Sequence, residues 1–197
     1  MKAAAFPEEV LQLRIRILEI EPPIFRVIQV TNIRTFHLLH EIIQYAFGWE
    51  SYHLYEFHVG RAKVAEPDTE FGEPPFPRHP RTTRLGDLVS KDVTRFTYTY
   101  DLGDDWIHDI LVEKRFAPDP SVRYPICLDG ARAAPPEDCG GASGYENFLG
   151  AWGDPKHEEH EHMRSWAGPR YHPERFDLRL ANEALRLFRA QAPKKKR

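Results

Sequence analysis

The chain has 197 residues, a formal charge of −3 at pH 7, and 41% hydrophobic against 29% charged side chains. A chain of this length buries about 70% of the surface its unfolded form exposes, so one domain can fold without a disulfide or metal staple. The acidic balance argues against a whole-domain nucleic-acid footprint, which would be basic, and 12% aromatics argue against general disorder.

Val10 to Ile20 reads as a half-buried strand, with Leu11, Leu13, Ile15 and Ile17 alternating against Gln12, Arg14 and Arg16. Pro22 and Pro23 break it, and Ile24 to Thr31 forms a second β-rich run. Thr35 to Phe47 is a helix, with Thr35 as N-cap, an apolar face of Leu39, Ile42, Ile43, Ala46 and Phe47, and Gly48 as its stop. His53 to Val59 reads as a strand. Residues 60–83 are rich in proline and charge and read as a long loop. Leu85 to Val89 is a short helical turn. Thr94 to Asp101 and Trp106 to Phe116 alternate strongly around Leu102-Gly-Asp-Asp105, which predicts a β-hairpin. Loops continue to about Gly144. Tyr145 to Trp152, Pro155 to Trp166 and Asp177 to Gln191 then read as helices.

This order predicts an α+β fold: an antiparallel or mixed sheet with helices packed on one side, as a single domain. Its expected bounds are an N-terminal segment 1–9, a domain 10–190 and a basic tail 191–197. No window is long enough for a bilayer-spanning helix, and the first residues carry no apolar signal region. A cytoplasmic protein without a membrane partner is therefore expected. The two cysteines, Cys127 and Cys139, have no metal-type spacing.

Three constellations carry chemistry. At the hairpin tip stand Asp101, Asp104, Asp105, Tyr100, Trp106 and His108. A carboxylate beside a histidine raises its pKa and orients it for acid–base work, so Asp101, Asp104 and His108 are the catalytic candidates. The competing reading gives the aspartates to turn amides and His108 to a cross-strand pair. The second is the proline-stiffened Pro135-Pro-Glu-Asp-Cys-Gly-Gly141, whose adjacent acids Glu137 and Asp138 suit a hard cation, an amine or helix caps. The third is His157, His160 and His162, weak metal-ligand candidates on a helix that also reads as a solvated acidic surface.

Four segments together resemble the plasmid Ri ORF-three-like family, also called insertion-element passenger TnpR-like. They are Glu21-Pro-Pro-Ile-Phe-Arg26, Phe47-Gly-Trp-Glu-Ser-Tyr-His-Leu-Tyr-Glu-Phe57, Tyr98-Thr-Tyr-Asp-Leu-Gly-Asp-Asp-Trp-Ile-His108 and Pro135-Pro-Glu-Asp-Cys-Gly-Gly141 with Gly144-Tyr145. The resemblance implies an α+β domain found in bacteria and archaea, often near mobile elements, and no established activity. The resemblance implies Trp in many relatives where this chain has Phe25, and Cys in many where it has Ala134.

Three functions remain open. The first is a ligand- or peptide-binding domain, with Trp49, His53, Tyr55, Tyr100, Trp106, Glu137 and Asp138 in an acidic, aromatic groove that takes a small molecule or protein segment. The second is a hydrolase using a divalent metal as cofactor. The third is a nucleic-acid-binding accessory protein of a mobile element, supported by Lys194 to Arg197 and opposed by the net charge. The first two require the hairpin tip and the Pro-Pro-Glu-Asp segment to meet.

Overall fold

The computed structural model describes residues 6–66 and 77–191. Strands β1 (Val10–Ile17) and β2 (Phe25–Thr31) pair antiparallel, Val10 opposite Thr31 and Arg16 opposite Phe25. Helix α1 (Phe36–Phe47) follows, then the hairpin of β3 (Tyr55–Val59) and β4 (Ala62–Ala65). After the short α2 (Leu85–Leu88) come β5 (Arg95–Tyr100) and β6 (Trp106–Phe116), then β7 (Ile126–Ala131). Helices α3 (Gly141–Gly153), α4 (His160–Ala167) and α5 (Leu178–Gln191) complete the described residues. Among the described residues the strands form one seven-stranded sheet in the order β4-β3-β5-β6-β1-β2-β7, with antiparallel neighbours throughout. The α+β expectation holds, and the sheet is antiparallel rather than mixed.

Period-two patterning decides the faces. Leu11, Leu13, Ile15 and Ile17 of β1 are fully buried, as are Tyr98 and Tyr100 of β5 and His108 and Ile110 of β6. The apolar stripe of α1 covers this face: Phe36 packs edge-on against Phe57 and Phe96, and Phe47 against His108. The opposite face carries polar pairs such as Arg14–Glu113 and Arg95–Asp109. The Thr35 hydroxyl accepts from Leu38 N at 3.3 Å, and Gly48 turns left-handed at φ 86° with its N–H on Gln44 O, so α1 starts and stops where its sequence says.

Arg26 seals one end of the core. It is 2% exposed, its guanidinium lies between the rings of Phe47 and Phe176, and it donates to the carbonyls of Ala46, Phe25 and Ala131. Ala46 lies in the last turn of α1, where unpaired carbonyls favour a cation. Burial pulls the Arg26 pKa down to about 10.

Several boundaries differ from expectation. β1 ends at Ile17, and β3 begins at Tyr55 rather than His53. The loop expected over 60–83 contains β4; residues 67–76 of it lie outside the described residues, as does the basic run Lys194 to Arg197. β7 lies within the stretch read as loop, and α3 starts at Gly141, before Tyr145. The helix expected from Pro155 begins at His160. α5 is capped by Asp177, whose Oδ1 accepts from Arg179 N and Leu180 N. Its Asn182 brackets the edge strand β7, bonding both the N–H and the carbonyl of Cys127.

Two buried histidines link the core to pH. Burial depresses His108 to about 4 and His40 to about 3. Each folded value lies below the ordinary 6.5, so the unfolded chain takes up these protons first as pH falls. The stability held by the neutral rings is complete above pH 6.5 and drains below it, by up to about 3 kcal/mol per pH unit for the pair. Urea midpoints at about pH 7, 6 and 5 should show this slope, and His108→Phe should remove about half of it.

Candidate functional site

Three loops meet at one end of the sheet. The β5–β6 turn is closed by Asp105 N on Asp101 O at 2.7 Å and by Gly103 N on Asp101 Oδ1 at 3.0 Å. Asp101 and Asp105 both stand at φ 54°, a left-handed conformation that aspartate tolerates because its side chain can bond locally. This tip grips the segment between β7 and α3. Asp104 Oδ2 accepts the Gly140 N–H at 3.0 Å. Gly141, at φ 68°, sits so close that an added Cβ would lie 2.5 Å from the Asp104 carbonyl oxygen. The paired glycines therefore permit a backbone-on-backbone approach and form no phosphate loop.

The loop after α1 grips the same segment. The Trp49 indole donates to Pro135 O at 2.9 Å. Glu137 Oε1 accepts from Glu50 N at 2.7 Å and from the Tyr100 hydroxyl at 3.1 Å. Burial raises the Glu137 pKa, and the two donors act against that rise. Beneath this loop runs a polar relay. Gln44 Nε2 donates to the Tyr98 hydroxyl, which lies 2.7 Å from His40 Nδ1; His40 Nε2 is 2.7 Å from Ser51 Oγ, which donates to Glu41. Every atom is satisfied when Tyr98 donates to Nδ1 and the Nε2–H donates to Ser51, the neutral form that the depressed pKa of His40 favours. Ser51, at φ 62°, also donates its N–H to Gln44 Oε1. The relay fixes the loop, and Ser51 is spoken for by Glu41.

Where the three loops join, His53, Asp101 and Asp138 present ligand-type atoms within 4.8 Å of one another. His53 Nε2 is 2.9 Å from Asp138 Oδ1 and 3.6 Å from Asp101 Oδ2. The other oxygen of Asp138 accepts from the Tyr52 hydroxyl at 2.9 Å. Two surface hollows adjoin this cluster. One, about 360 Å³, is lined by Trp49, Glu50, Tyr52, Pro136, Glu137 and Tyr171 among others. The second, about 340 Å³, is lined by Cys139, Asn147, Phe148, Glu159, His162 and Met163 among others. Asp138 and Trp166 line both, so the two form one groove. Among the described residues four carboxylates line it, from Glu50, Glu137, Asp138 and Glu159, and no lysine or arginine does.

Of the residues singled out from sequence, His53, Asp101, Glu137 and Asp138 gather here, with Trp49 in the wall. Tyr100 is buried and holds Glu137, and Asp104 is spent on Gly140. Three readings are corrected. Asp101 and His108 do not face each other: the register sets His108 opposite Tyr98, fully buried against Phe47 and Trp49, and Trp106 opposite Tyr100 in the core. Tyr55 lies outside the groove, stacked on His40 at 3.7 Å and bonded to His37. His157, His160 and His162 do not converge: His157 precedes α4, and His160 is buried with Nδ1 on Ala151 O. Trp166, Glu50 and Tyr171 were not anticipated. A lone Trp in an otherwise polar helical stretch was the available signal for Trp166.

Residues 9–180 match the family model described as plasmid pRiA4b ORF-3-like protein. The chain is 35% identical over 159 residues to "Uncharacterized protein y4hQ" of Sinorhizobium fredii, covering 81% of each. It is also similar to the crystal structure of "Protein of Unknown Function MM3350" from Methanosarcina mazei Go1. That match has 38% identity and a TM-score of 0.78, and covers 88% of this chain and 98% of the other.

Gly141→Ala should force the segment off the hairpin tip, because a Cβ would meet backbone that cannot swing away. A loss of about 1–3 kcal/mol is expected in urea unfolding. Gly150→Ala, inside α3 with open space around it, should instead stabilise by up to about 1 kcal/mol.

Proposed function

The chain belongs to the plasmid pRiA4b ORF-3-like family, and from that premise we propose that it is a binding module for a positively charged polypeptide segment. One observation carries the reading: a groove lined, among the described residues, by four carboxylates and no lysine or arginine, with the half-exposed Trp166 shared by its two hollows. Arginine and lysine side chains suit both parts. Their heads pair with carboxylates, and their stems or guanidinium planes lie over an indole face. Proline walls and anchored loops keep the groove largely preformed, which limits the ordering cost of binding. A phosphate backbone would meet the same carboxylates unfavourably, so this end of the molecule favours a cationic partner over nucleic acid.

Calorimetric titration with an arginine- and lysine-containing peptide in low salt with EDTA should give saturable binding. A peptide of equal length carrying glutamate should give none. General attraction to an acidic protein is separated by Trp166→Ala, expected to weaken binding about three- to fivefold, and Trp166→Phe, expected to restore most of it. Equal binding of both peptides, or no effect of Trp166→Ala, would remove the proposal.

A further inference from the structure

Beside the groove, His53, Asp101 and Asp138 reach one point from three separate loops. We infer that these side chains bind a single divalent transition-metal ion of the zinc or manganese class. The inference stands apart from the peptide reading, although Asp138 serves both. An ion with nitrogen and oxygen ligands near 2.1 Å holds them roughly 3.0–3.4 Å apart. The His53 Nε2 separations of 2.9 Å to Asp138 Oδ1 and 3.6 Å to Asp101 Oδ2 bracket that range.

The second observation is His53 itself. Its Nε2 is shut off from solvent and has no aligned hydrogen-bond partner, despite the carboxylates beside it. An enclosed imidazole nitrogen flanked by two carboxylates lacks an aligned partner, and a metal ion would supply one. The carboxylates are held for the same task from outside the cluster. Gly103 N occupies Asp101 Oδ1 and leaves Oδ2 facing His53; the Tyr52 hydroxyl occupies Asp138 Oδ2 and leaves Oδ1 facing it. Such outer partners fix the orientation of first-row metal ligands. One imidazole with two carboxylates is a borderline-hard set that suits zinc or manganese over calcium, which prefers oxygen alone. Two carboxylates also balance a divalent charge. Asp138 also lines both hollows, so the cluster borders the groove.

The full chain, dialysed against EDTA and then freed of it, is titrated calorimetrically with ZnCl2 and separately with MnCl2, and bound metal is counted by mass spectrometry. The expected result is one ion per chain. His53→Asn and Asp101→Asn should each weaken binding at least about tenfold, and Tyr52→Phe should weaken it measurably through Asp138. A His157→Gln variant should bind as the parent does. If circular dichroism shows either core-side variant unfolded, Asp138→Asn, on a largely exposed side chain, gives the same reading. Absence of stoichiometric binding of both ions, or binding that survives these substitutions, overturns the inference. The peptide titration runs in EDTA, so a failed metal site leaves the groove reading intact, and a failed peptide titration leaves the metal site intact.

Discussion

The grip on residues 135–141 is the constraint from which the site follows. The segment has no regular structure to hold it, so its position depends on bonds reaching it from far along the chain. Asp104 supplies one to Gly140, Trp49 one to Pro135, and Glu137 returns two, to Glu50 and Tyr100. Each is worth only about 1 kcal/mol on balance, but leaving the buried Trp49 indole or the Tyr100 hydroxyl unpaired would cost more. The arrangement is therefore cooperative: the turn, the loop after α1 and the glycine pair each have their best partners only when all are in place. α3 starts directly from Gly141, and α4 with Trp166 packs through α3. The groove is thus positioned by hydrogen bonds within the loops more than by the sheet beneath them.

The hairpin motif divides its residues between two duties by register alone. With Tyr100 opposite Trp106 and Tyr98 opposite His108, those four side chains point into the core. The aspartates fall in the turn, where no pairing claims them. Sequence proximity of Asp101 to His108 suggested a catalytic pair; antiparallel pairing instead sends His108 inward, among aromatic rings where burial keeps it neutral. The partner that Asp101 does have, His53, lies 48 positions away, on a loop whose path is set by the relay under Ser51.

How much could be read in advance follows from which forces acted locally. α1 was legible because its cap, stripe and stop are sequence-local, and β1, β5 and β6 because one buried face imposes a period of two. The meeting of the hairpin tip with the Pro-Pro-Glu-Asp segment was legible as a requirement of the chemistry, since only convergence gives those acids a shared purpose. β7 was not legible: Ile126 to Ala131 has little alternation, and its edge is completed by Asn182, 55 residues further on. β4 is short and sits beside a proline-rich stretch, where composition argued for a loop. Trp166 was missed because α4 is polar and offers no apolar stripe to place it against.

The acids of the site differ in how they are held, and that difference gives the groove its character. Asp104 is used structurally, and Glu137 is half withdrawn from water with one oxygen carrying two donors, so burial pushes it toward the neutral form. Asp101 and Asp138 each keep one oxygen bound to a neutral donor and one turned toward His53. Neutral donors stabilise a carboxylate without cancelling its charge. The fold thus concentrates negative charge where the three loops join, and among the described residues no lysine or arginine lines the groove to compensate it. Such crowding is unfavourable in isolation, because like charges at these separations repel and desolvation adds to the cost. It becomes favourable when a cation arrives, and the geometry is then matched to charge supplied from outside the chain rather than from within it.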